Sequence, residues 1–103
     1  MKISFFHEDI KSFLDALEAK MRAKVNATIK LLSMEAYHLS MPYSRKVEKN
    51  LYELRISSIQ NIRIFYTFHD NKIVLLHAIY KKTDKLPLHD LNTARQRLYN
   101  LHS

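Results

Sequence analysis

The chain has 103 residues, 47% hydrophobic and 26% charged, a globular rather than disordered makeup, so one domain over residues 1–103 is expected. Lys and Arg number 17 against 10 Asp and Glu, a formal charge of +7 that favours a polyanionic partner, nucleic acid first. The absence of Cys and Gly excludes disulfides, thiol catalysis, Cys-held zinc, glycine-rich phosphate loops and the dinucleotide fingerprint.

No apolar run approaches the roughly 18 residues of a membrane span, so no membrane contact is expected. The opening MKISFFHEDIKSF meets acidic residues too early for a secretory signal, and a cytoplasmic location follows as the default. KISFF reads as a short strand. Ile10, Leu14, Leu17 and Met21 then recur at helical spacing, and Val25, Ile29, Leu32 and Ala36 continue it. A break near Ala19–Met21 would fold the two segments into a hairpin; one bent helix is the alternative. HLSMPYSRKVEKN, with Pro42 and its serines, reads as a loop approaching the sheet.

From Leu51 to about Lys82 the period changes to two. Tyr52, Leu54 and Ile56 share one face of the first of these strands, and Glu53 and Arg55 the other. In the next strand Ile62, Ile64, Tyr66 and Phe68 oppose Arg63, Phe65 and Thr67. Burying both apolar sets together pairs Leu54 with Ile64 and Ile56 with Ile62, across a loop at Ser58–Gln60. Arg55 then lies opposite Arg63; a shift by two residues would make them diagonal neighbours, still on one face. Like charges directly across a strand pair repel. Either the two side chains splay into water, or an anion sits between them, since the guanidinium fork suits phosphate oxygens.

Asp70-Asn71 suits a two-residue turn, because both residue types tolerate positive φ. His69 then pairs with Lys72. Ile73, Leu75, His77 and Ile79 are expected on the core face, with His77 a buried or half-buried core residue. Val74, Leu76, Ala78, Tyr80 and Lys82 are expected on the arginine face. This parity prefers Lys82 over Lys81 as the cation joining the arginines; a bulge after Ala78 would reverse that choice. The last segment, LPLHDLNTARQRLYNL, returns to helical spacing at Leu91, Ala94, Leu98 and Leu101, with Pro87 at its start. The expected fold is α+β: an antiparallel twisted sheet of about four strands, an N-terminal helical hairpin and a C-terminal helix, with the helices on one face.

The non-core face thus collects Glu53, Arg55, Arg63, Tyr80 and Lys82. Arg45, Lys46 and Lys49 stand at its margin, and Lys81 and Lys85 follow the last strand. Such a face suits an RNA strand, with phosphates on cations and bases on rings. A merely solvated sheet face looks similar.

LYELRI, the RIFY strand, IVLLHAIYKKTDKLP and a helix with TARQR together resemble the RelE-like toxin superfamily, closest to its HigB-type, phage Gp49-like branch. The resemblance covers nearly the whole chain. It implies a small α+β toxin of a type II toxin–antitoxin pair that cuts mRNA in the ribosomal A site. It also implies a cognate antitoxin, usually of helix-turn-helix type, with DNA reached only through the antitoxin complex. By position it carries over Arg55, Arg63, Lys82 and, near the C-terminal end, His89. The sequence departs from the pattern at Glu53, where some relatives have lysine, at Ile62, where Tyr is commoner, and at the loop SSIQN, which lacks the usual glycine.

RNA needs no metal or cofactor to be cut by its own 2′-OH. A base takes that proton, cations stabilise the phosphorane-like transition state, and an acid protonates the leaving 5′-oxygen. Arg55 and Arg63 suit the electrostatic role. Glu53 is a candidate base, or else a cross-strand salt bridge. His89 is a candidate acid or base, or else an exposed residue at a helix start. Lys82 is a candidate for charge stabilisation or proton donation. The histidines show no metal-ligand spacing, so no metal site is expected. The competing class is a non-catalytic RNA- or DNA-binding or interaction module of the same fold.

Overall fold

In the computed structural model, which describes residues 1–103, the chain runs β1 (Lys2–Phe5), α1 (Glu8–Asp15), α2 (Ala19–Glu35), β2 (Ser44–Glu48), β3 (Leu51–Ser57), β4 (Asn61–His69), β5 (Lys72–Tyr80) and α3 (Leu88–His102). The strands form one sheet in the order β1-β5-β4-β3-β2. The fold is α+β, as expected, but the sheet has five strands and is mixed, because β1 pairs in parallel with β5. No helix is long and apolar enough to cross a membrane.

His7 caps α1 by accepting a hydrogen bond on Nδ1 from the Asp9 backbone N–H at 3.0 Å. Glu8 and Asp9 place negative charge at the positive end of the helix dipole. The helical break comes at Ala16–Glu18, before the position expected near Ala19–Met21. It yields two separate helices, not one bent helix, of unequal length at 8 and 17 residues.

SRKVE, expected to be loop, is the edge strand β2. Its charges hide the alternation, yet they suit an edge, where lysine and arginine discourage pairing with other chains. Without glycine, positive φ falls on Ala36, Asn50, Asp70 and Asn71. The last two, at 51° and 59°, make the two-residue β4–β5 turn as expected.

The β3–β4 register is the expected one: Leu54 faces Ile64, Arg55 faces Arg63 and Ile56 faces Ile62. Helices cover both sides of the sheet, not one. Ile10, Leu14, Met21, Val25 and Leu32 of α1 and α2 pack on Leu54, Ile56, Ile62, Ile64, Tyr66, Ile73 and Leu75. On the opposite side, Ala94 of α3 packs among Leu51, Phe65, Val74, Leu76 and Ile79. Burying a residue such as Ile62 or Leu54, both at 0% exposure, contributes about 1.5–3 kcal/mol each. α3 is also fastened at its flanks, by Arg95 to Glu48 of β2 and by Arg97 to Asp9 of α1.

β5 departs from simple alternation. Tyr66 faces Leu75 but Phe65 faces His77, so Leu76 is an extra residue. Beyond this bulge every side chain changes face relative to expectation. His77 and Ile79 belong to the α3 side, while Ala78 and Tyr80 belong to the α1–α2 side, opposite Ile64 and Ile62. Tyr80 rests against Phe13 of α1, with ring centroids 4.9 Å apart.

Candidate functional site

Beside the apolar patch under α3, the same sheet face carries charge. Two cross-strand rows build it: Arg45, Glu53, Phe65 and His77, and next to it Arg55, Arg63 and Ile79. Glu53 is the hub, at 1% exposure. Its Oε1 lies 3.0 Å from Arg45 Nε and 3.6 Å from Arg55 Nη1, and its Oε2 lies 3.9 Å from Arg63 Nε. The anion between the two arginines in this structure is therefore a carboxylate of the protein itself. Three guanidinium groups against one carboxylate leave a net +2 at one spot.

The arginines differ in exposure. Arg63 is buried, and its Nη1 donates to the Ile62 carbonyl at 3.0 Å. Burial and the nearby Arg55 push its guanidinium below the ordinary value, with Glu53 opposing the shift. Arg55 is partly exposed, its Nη1 touching the Met41 sulfur at 3.8 Å. Arg45, on the edge strand, has its side chain about half in solvent. Arg63 Nε and Glu53 Oε2 are buried without hydrogen-bond partners. The cluster thus holds unused hydrogen-bonding capacity as well as excess charge. Guanidinium groups are donors only and poor bases, so the arrangement attracts an anion and spreads its charge.

The remaining residues singled out from the sequence are scattered around this centre. The Lys81 N–H bonds the Asn61 carbonyl at 2.8 Å, extending the β4–β5 ladder by one residue. Alternation from Ile79 places Lys81, and not Lys82, on the arginine face, so the bulge exchanges the two. Lys81 and Lys82 line an open groove of about 570 Å³ with Ile59, Gln60, Asn61 and Tyr80. Tyr80 belongs to that groove and to the α1 side, not to the arginine face. Lys46 pairs with Tyr52 and so alternates away from Glu53; Lys49 lies in the β2–β3 turn, and Lys85 is exposed between β5 and α3. His89, in the first turn of α3, lines a different groove with Phe6, Thr93, Gln96 and Arg97. No hydrogen bond or ion pair links it to Glu53, Arg55 or Arg63.

On the arginine side of the sheet, His77 of β5 meets Asp90 of α3, a pair to which the sequence assigns no functional role. His77 Nε2 lies 2.7 Å from Asp90 Oδ1, and both side chains are partly exposed. His77 was expected under α1 and α2; only the bulge turns it over. No signal in the local sequence marks that bulge.

No curated protein matches the chain. Among protein families, a match extends over residues 12–99, spanning Glu53, all three arginines and the His77–Asp90 pair. The chain belongs to the family of phage-derived Gp49-like proteins (DUF891).

Proposed function

We propose that the chain is an mRNA endoribonuclease, the toxin of a type II toxin–antitoxin pair, acting on ribosome-bound mRNA in the cytoplasm. The observation that carries this reading is the net +2 cluster of Arg45, Arg55 and Arg63 around the buried Glu53. Membership of the Gp49-like family, the branch to which the sequence motifs point, supports it.

The substrate's 2′-oxygen attacks the adjacent phosphorus, and the bond to the 5′-oxygen breaks. Arg55 and Arg63 bind the non-bridging oxygens and stabilise the charge that grows on them; donors preplaced in this way are each worth about 10²–10³ in rate. Glu53 holds the arginines in position from below. Its carboxylate is already engaged by three guanidinium groups, which makes it a poor candidate for taking the 2′-OH proton. Arg45 steers the strand from the edge, and Lys81 and Lys82 take flanking phosphates in the groove beyond β5. No metal or cofactor is required. A helix-turn-helix antitoxin would silence the toxin.

Induction in a bacterium, with mapping of mRNA ends, tests the reading. The expected result is growth arrest with cuts inside translated codons, abolished in Arg63→Ala and Arg55→Ala. The reading is overturned if induction leaves mRNA intact, or if purified, folded variants cut ribosome-bound mRNA at the unaltered rate. RNA binding without cuts would favour a non-catalytic module.

A further inference from the structure

The cleavage reading leaves the proton on the leaving group without a donor. His89 lies in another groove, and the arginines are poor acids. The bulge at Leu76 supplies a different group. Bulges are frequent beside active sites, where they re-aim a side chain, and this one delivers His77 to the arginine face.

His77 is held from two sides. Its Nε2 meets Asp90 of α3 at 2.7 Å. Its ring lies 8° from parallel with that of Phe65, with centroids 6.4 Å apart. The ring is partly exposed and its Nδ1 makes no hydrogen bond, which leaves that nitrogen open to a ligand. Arg63 faces Ile79, two residues along β5 from His77. Diagonal neighbours of that kind stand about 7–8 Å apart on one sheet face. A phosphodiester held by Arg63 therefore brings its ester oxygens close to the imidazole. The other charged groups in this row are Glu53 and, beyond it, Arg45, both separated from His77 by Phe65.

We infer that His77, oriented by Asp90, protonates the departing 5′-oxygen of the RNA. The inference rests on the cleavage reading above. The 2′-oxygen–phosphorus bond forms as the phosphorus–5′-oxygen bond breaks. The 2′-OH proton leaves to water, and the imidazolium proton of His77 passes to the 5′-oxygen. The products are a 2′,3′-cyclic phosphate, a 5′-hydroxyl and neutral His77. Asp90 is a positioning residue that sets the ring's tautomer and direction, as a carboxylate does behind a catalytic imidazole.

A sulfur substitution isolates the step, because a thiolate leaves without being protonated. Ribosomes are programmed with mRNA carrying either the natural linkage or a 5′-bridging sulfur at the cleavage site. His77→Gln is expected to cut the oxygen linkage about 100-fold more slowly or worse, and the sulfur linkage at close to the unaltered rate. Asp90→Asn, which keeps the side chain's shape, should show the same selectivity at smaller amplitude. Arg63→Ala should slow both linkages. Equal slowing of both by His77→Gln would make the pair a structural clip and overturn the inference, as would no slowing of either. If the unaltered protein cuts neither linkage, the nuclease reading fails and takes this inference with it.

Discussion

Replacing Glu53 with Gln removes the charge at the hub and little else. The amide has nearly the same shape but leaves three guanidinium groups facing one another. At an effective dielectric of about 20, a unit pair near 4 Å is worth about 4 kcal/mol of attraction, and all three arginines lie within that distance of the carboxylate. Much of this is offset in the native protein by the cost of burying Glu53 and by repulsion among the arginines. Arg45 is half exposed, so its pair contributes least. The net penalty for removing one partner of a buried pair is about 3–5 kcal/mol. For a domain of this size about 4–8 °C of melting temperature is lost per kcal/mol, so Glu53→Gln should melt at least ~12 °C lower. The assay is thermal denaturation by circular dichroism, with and without inorganic phosphate. Phosphate should raise the variant's melting temperature more than that of the unaltered protein, because the anion takes the carboxylate's place. A variant that melts within about 2 °C of the unaltered protein, with no added response to phosphate, would refute the hub role.

Asp9 offers a pH test. The hydrogen bond from Arg97 is the main cause that holds its carboxyl below the ordinary 3.8. A depressed carboxylate contributes stability that is full above the unfolded value and is lost as pH falls through the folded one. Urea unfolding from about pH 5 downwards should therefore show a shallower acid loss in Asp9→Asn than in the unaltered protein. The buried hydroxyl pair of Ser44 and Tyr66 ties edge strand β2 into the sheet. Tyr66→Phe should cost about 1–3 kcal/mol by leaving Ser44 unpartnered. The double variant with Ser44→Ala should cost less than the sum of the two singles, as read by a double-mutant cycle.

Within β3 and β4 the site was legible because one rule governs both strands. Apolar residues on alternate positions must share a side, and that rule places Arg55 opposite Arg63 wherever the buried sets match. The turn at Asp70-Asn71 was legible for a similar local reason, since those residue types accept positive φ. β2 was not legible, because an edge strand with one buried serine and several charges looks like a loop. Strict alternation puts His77 on the wrong side because it carries no memory of an inserted residue. Lys81 and Lys82 exchange faces for the same reason, and Tyr80 leaves the arginine face with Lys82. Glu53 was recognised as a charged neighbour of the arginines, but the alternation of β3 says nothing of how deeply it is buried.

By itself the sequence determined what local periodicity and residue chemistry can determine: three helical stripes, a central hairpin register, a basic face and the absence of glycine- or cysteine-based chemistry. Tertiary structure alone decided that β1 joins β5 in parallel, that α3 covers the opposite side from α1 and α2, and that Glu53 collects three arginines. It also decided, through one extra residue at Leu76, that His77 meets Asp90 on the arginine face. These outcomes depend on which distant segments bury one another's surfaces. That choice is made by packing across the whole chain and leaves no mark in the local spacing of residues.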